Sequence, residues 1–228
     1  MRWPSRRLLL AAVLAAIASV STFSGCASEP PNVASLEFAS QDIENGMLPI
    51  RKDGSALVGV VVRDGEGHSV ELDASEFVWE SDDPALDVKG LGNAALITGK
   101  ADWFDTVPDG GDPATAHEPR ANLIVTYHQG QGDEVSASIP VAIVLNAAGR
   151  WHASVSGLGD QTLTLDQHGR HVSYTATTGD LAGTIDGDQF TLSQQGFMLV
   201  GTFTSREAIS GTYTGPGGVT GTWSASRE

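Results

Sequence analysis

One cysteine, Cys26, is the whole thiol complement of this 228-residue chain. A single cysteine makes no internal disulfide and no cysteine-based zinc site, so the folded body must be stable through its apolar core alone. Basic residues are also scarce, with 13 Lys and Arg against 28 Asp and Glu. A surface that acidic repels phosphate backbones, which excludes nucleic acid as a partner. It equally excludes adsorption to an anionic lipid surface by charge alone. Aromatic residues make up only 7% and charged residues 18%. The uncharged apolar run Leu8–Val20 is too short to cross about 30 Å of hydrocarbon comfortably. No His-Glu-x-x-His, Gly-x-Ser-x-Gly, Walker or dinucleotide fingerprint occurs. Nothing in the sequence selects a catalytic residue, a metal site or a cofactor.

The amino terminus is organised for export. Met1–Arg7 is a basic n-region, and Leu8–Val20 has the length of a signal-peptide h-region. Small residues follow, then Phe23-Ser24-Gly25-Cys26. This segment resembles the bacterial lipobox, with Phe23 where the family usually has Leu. The resemblance implies a diacylglycerol on the Cys26 sulfur, cleavage after Gly25, and acylation of the new amine. Residues 1–25 would then be removed and 26–32 would be a lipidated linker, semi-rigid at Pro30-Pro31. Without Arg2, Arg6 and Arg7 the remaining chain sets 10 basic against 28 acidic groups, a net charge of −18. Anchoring is therefore expected from the acyl chains, which give about 0.8 kcal/mol per buried CH₂. Ser5-Arg6-Arg7-Leu8-Leu9-Leu10 also resembles a degraded twin-arginine signal, although a simple basic n-region accounts for it. By similarity to lipoprotein sorting signals, Ala27 favours the outer over the inner membrane.

The 27 glycines and the low charge point to short strands and turns. Residues 33–147 hold seven β-type runs: Ala34–Phe38, Ala56–Arg63, Glu76–Ser81, Leu86–Lys89, Ala94–Thr98, Ala121–Tyr127 and Val135–Leu145. That number over about 110 residues is the count of an Ig-like β-sandwich. Val78-Trp79-Glu80-Ser81-Asp82-Asp83-Pro84-Ala85-Leu86-Asp87-Val88 resembles the signature of bacterial Ig-like domains of the group 2 type. The resemblance implies that Trp79 fills the core, with Phe77 on the same face. Ala101–Arg120 is long for a sandwich connection and rich in acids (Asp102, Asp105, Asp109, Asp112, Glu118). Its spacing is not that of an EF-hand loop. A calcium loop is one reading, and a solvated loop with Trp103 and Phe104 tucked onto the sandwich is the simpler one.

Residues 150–228 read as a Gly-rich antiparallel meander of eight strands: Arg150–Ser156, Gln161–Asp166, His171–Thr177, Leu181–Ile185, Gln189–Ser193, Met198–Thr204, Ala208–Thr214 and Val219–Ala225. Gly-Thr-large recurs at Gly183-Thr184-Ile185, Gly201-Thr202-Phe203, Gly211-Thr212-Tyr213 and Gly221-Thr222-Trp223. Residues i and i+2 share a face of a strand, so each glycine lies beside a large residue and Thr faces away. Such a sheet curves strongly. If it closes into a barrel, the strands of Trp151 and Trp223 must pair. Trp151, Phe203, Tyr213 and Trp223 are the candidate inner-face or ligand residues. The architecture is similar to a miniature lipocalin or avidin barrel, and strands this short favour an interior filled by side chains.

His168 and His171 flank a turn near Asp166 and could hold a soft metal; two exposed imidazoles on a hairpin are the simpler reading. The expected function is that of a non-catalytic envelope lipoprotein. The Ig-like module would be a spacer or adhesive unit, and the meander a surface for an envelope protein or glycan. A carrier of small apolar ligands and a surface hydrolase with an unidentified carboxylate pair are the alternatives.

Overall fold

The computed structural model describes residues 32–107, 115–129, 133–176 and 179–228. Residues 1–31, where a signal segment and a lipobox-like Cys26 are expected, and Asp109 and Asp112 lie outside the described residues.

The chain first builds a two-sheet sandwich. Its strands are β1 (Val33–Ala39), β2 (Leu48–Arg51), β3 (Ser55–Asp64), β4 (Phe77–Ser81), β5 (Leu86–Gly90), β6 (Ala94–Gly99), β7 (Arg120–His128) and β8 (Glu134–Val144). One sheet has the order β1-β3-β6-β5 and the other β2-β8-β7-β4. This is the Ig arrangement, ABED against CFG, with β2 added alongside the last strand. Alternation drives the packing. Ala121, Leu123, Val125 and Tyr127 of β7 point inward and are buried, as are Val58, Val60 and Val62 of β3. Phe77 and Trp79 are buried in the same core. Trp79 meets Phe38 edge-on at 6.2 Å and donates its indole N–H to the Gly92 carbonyl at 2.7 Å.

The strand that sequence reading missed is β2. It contains Pro49 and runs parallel to β8, pairing Leu48 with Val141 and Arg51 with Val144. As an edge strand it tolerates a residue with no backbone donor.

The second half is a closed barrel of β9 (Gly149–Val155), β10 (Gly159–His168), β11 (His171–Ala176), β12 (Gly179–Asp186), β13 (Gln189–Gln194), β14 (Phe197–Ser205), β15 (Ala208–Thr214) and β16 (Thr220–Arg227). Every consecutive pair is antiparallel, and β16 returns to β9 from Trp223↔Val155 to Arg227↔Trp151. All eight expected strands are present and the ring is closed. Two of the repeated glycines sit where neighbouring strands approach too closely for a side chain, and Gly201 and Gly221 lie against the side chains of Trp223 and Tyr213. A Cβ on Gly211 would lie 1.9 Å from the Val200 carbonyl oxygen, and one on Gly183 1.8 Å from that of Thr191. The large partners Ile185, Phe203, Tyr213 and Trp223 are buried inside, while Thr212 and Thr222 are exposed.

The sandwich and barrel have separate hydrophobic cores, yet both lie in one compact unit, Asn32–Glu228. Leu145 and Ala147, expected in the sandwich, pack into the barrel core instead.

Candidate binding sites on the barrel and at its junction with the sandwich

The four inner-face candidates do come together. Trp151, Phe203, Tyr213 and Trp223 are all buried, and Phe190 joins them. Ring centroids are 6.2 Å apart for Trp151–Phe203, 6.1 Å for Phe190–Phe203 and 5.8 Å for Phe190–Trp223. Their polar tips are spent inside the protein. Trp151 donates to the Ala147 carbonyl at 2.9 Å, Tyr213 to that of Ser156 at 2.7 Å, and Trp223 to those of Val200 and Thr212, each at 3.1 Å. These aromatics fill the barrel with one another, as expected for an eight-stranded ring with short strands.

The acidic segment after β6 has a different role from the one its composition implied. Asp102 caps a short 3₁₀ turn, Trp103–Thr106, accepting the Phe104 amide at 2.9 Å, while Asp105 accepts the Asp102 amide at 2.9 Å. Asp102 is 1% exposed and takes two hydrogen bonds from Arg206 of the β14–β15 turn, at 2.8 and 2.9 Å. Asp105 takes one from Lys52 at 2.7 Å and another from Arg206. Burial opposes ionisation of Asp105. The bonds from Lys52, the Asp102 amide and Arg206 outweigh it and hold the carboxyl down at about 2. The same carboxylates push Arg206 further up, chiefly through Asp102. Its guanidinium also lies 5.9 Å from the Phe104 ring centroid. Trp103 and Phe104 pack on the barrel core, not on the sandwich. Asp102, Asp105 and Glu118 are therefore engaged by cations of the protein itself. Among the described residues no group of three or more His, Cys, Asp or Glu could hold a metal.

Other contacts tie the modules at several points. The Gln167 side chain accepts the Ala147 amide at 2.7 Å and donates to the Leu145 carbonyl at 2.9 Å. Arg227 donates to the carbonyls of Ala148 and Asn146 and lies 4.5 Å over the Trp151 ring; burial lowers its pKa. His168 and His171 are exposed and face Asp42 at 3.0 Å and Glu44 at 3.1 Å, on the β1–β2 connection. Two further histidines lie elsewhere: His128 beside Glu134 at 3.0 Å, and His117 exposed at the junction.

Two surface depressions lie on and beside the barrel. On the barrel exterior, Ser154, Ser156, Ser210, Thr212, Thr222 and Ser224 surround a shallow depression of about 600 Å³ over Gly211 and Trp223. Ser210, Ser224 and Ser154 stand in register across β15, β16 and β9. Nothing in that lining carries charge, in contrast to the acidic chain as a whole.

The other is a cavity of about 430 Å³ at the junction, lined by Trp103, His117, Glu118, Arg120, Asp186 and Gly187. Gly187, with φ +59°, lets Trp103 approach closely; a Cβ there would sit 2.6 Å from the indole ring. The Glu118 side chain is 9% exposed. One carboxylate oxygen accepts from Arg170, which also reaches Asp186 at 3.3 Å. The other, Oε2, is buried and has no hydrogen-bond partner. An unmet buried acceptor costs about 1–3 kcal/mol, and more when charged. Sequence reading did not find this site, because its walls come from segments about 70 residues apart.

No family model matches the chain and no curated protein matches it. Among solved structures, it is similar to domains 5–6 of the S-layer protein SbsC, with 13% identity, 87% of this chain and 85% of that chain covered, and a TM-score of 0.34. A longer piece, domains 4–9 of surface layer protein SbsC, aligns at 14% identity over 87% of this chain and 27% of that chain, with a TM-score of 0.31.

Proposed function

We propose that the chain is a non-catalytic lipoprotein of a bacterial envelope, tethered through lipid on Cys26. The Ig-like sandwich acts as the spacer and carries a barrel whose outer surface and junction contact an envelope protein or glycan. The filled barrel interior carries this reading. A packed aromatic centre is a scaffold for an exterior, and it leaves no cup for the apolar ligand of a lipocalin-like carrier. The ion pairs at the junction support it too, since they hold the barrel in a set orientation on the sandwich. The lipobox-like Phe23-Ser24-Gly25-Cys26 supplies the tether, and Ala27 favours the outer membrane.

The test is expression of the full chain in a bacterial host, followed by membrane fractionation and intact-mass measurement. The expected product begins at Cys26, carries acyl chains and partitions with membranes. A Cys26→Ala variant is released as precursor or soluble protein. An unmodified thiol in the wild type refutes the tether. A stoichiometric shift of Trp emission by a bound fatty acid refutes the filled-barrel reading.

A further inference from the structure

We infer that the junction cavity is a subsite for one ring of a neutral saccharide, an inference that rests on the reading of this chain as an envelope contact module. The starting point is Glu118 Oε2, an acceptor withdrawn from solvent and unmatched by any donor of the protein. Three kinds of ligand could bring a donor to it. A metal ion is the poorest fit, since no three-ligand cluster exists among the described residues. An ammonium group meets the charge already beside this carboxylate: Arg170 on its other oxygen and Arg120 in the same wall. A neutral hydroxyl is left, and it donates without adding charge.

The rest of the wall suits a ring bearing several hydroxyls. Asp186 is 92% exposed and offers further acceptor positions. Arg120 supplies donors and His117 either role. Trp103 is half-buried, pinned against Gly187, and contributes apolar surface for the C–H face of a sugar. The volume, about 430 Å³, is within the range of small-molecule sites. Binding requires the Glu118 side chain, 9% exposed, to turn Oε2 toward the cavity. A single shallow subsite of this kind binds weakly, with Kd on the order of 1 mM; many copies on a membrane would raise the effective strength.

The experiment is saturation-transfer NMR on the full chain in non-ionic detergent. The probes are glucose, galactose, mannose and N-acetylglucosamine, with glucosamine and glucuronate as charged counterparts. At least one neutral sugar is expected to receive saturation. Glu118→Gln, which replaces the unmet acceptor with a donor of the same size, should reduce the signal about fivefold or more, the equivalent of one net hydrogen bond. Asp186→Ala, at an exposed position, should do so without touching the fold. Glu66→Gln, on the exposed turn beyond the Asp64 end of β3, should leave it unchanged. The inference is overturned if no neutral sugar responds, if a charged sugar is preferred, or if neither cavity variant lowers the signal. Hydrolysis of an aryl glycoside, lost in Glu118→Gln, would keep the saccharide site and refute the non-catalytic reading. Sugar binding by a protein with an unmodified Cys26 would refute the tether alone.

Discussion

Removing the Asp102 carboxylate should damage the protein more than removing any other single surface-region acid. In Asp102→Ala the 3₁₀ turn loses its N-cap, which costs about 1 kcal/mol. Two charge-assisted hydrogen bonds from Arg206 are lost as well. Such bonds are worth about 1.5–3 kcal/mol each when both partners are buried. Arg206 is 45% exposed and recovers water, so roughly half of that remains, about 2 kcal/mol. The expected destabilisation is therefore about 3 kcal/mol, or a fall in Tm of roughly 6–12 °C for a body of this size. Urea unfolding followed by Trp fluorescence measures it. A double-mutant cycle with Arg206→Ala should return a coupling of about 1–2 kcal/mol. If Asp102→Ala costs less than about 0.5 kcal/mol, or the cycle shows no coupling, the junction is not held in the way described.

Three further outcomes follow from the geometry. The folded Asp105 carboxyl sits at about 2, below its ordinary 3.8, so its contribution is complete above pH 4 and is lost as pH falls toward 2. Acid unfolding curves should show wild type losing more stability across that window than Asp105→Asn; equal losses would contradict the ion-pair assignment. Gly211→Ala should cost about 2–3 kcal/mol because its Cβ has backbone 1.9 Å away, whereas Gly65→Ala, with open space around it, should be nearly neutral. Urea midpoints of the two variants check this. Trp151→Ala should destabilise by about 3–5 kcal/mol in the same assay, since it removes a fully buried ring from the barrel centre.

The barrel was legible in the sequence because its information is local. Each strand pairs with the next across a short turn, glycines with left-handed φ such as Gly169 and Gly187 mark several of those turns, and inward residues alternate along each strand. The Ig-like sheets were legible for the same reason, through alternation in β3 and β7. β2 was hidden, because a four-residue segment with Pro49 has no pattern of its own and its partner lies more than 90 positions on. The junction was hidden more deeply. Asp102 and Arg206 are separated by 104 positions, and at each end the residue looks like an ordinary solvated charge. The one local clue was Asp102-Trp103-Phe104-Asp105, a cap with an acid three residues on. It signals a helical turn rather than a metal loop. The cavity around Glu118 depends on that docking, so no pattern along the chain could foretell it.

Closure of the ring has a consequence for biogenesis. β9 and β16 lie about 70 residues apart, and their seam at Trp223↔Val155 to Arg227↔Trp151 can zip only after β16 has emerged. Until then the nascent barrel is a curled ribbon with two bare margins, each a template for a neighbouring chain. A stop codon in place of Thr220 would remove β16 and leave one margin permanently open. The product of such an allele should clump or be proteolysed, although seven of its eight staves are intact.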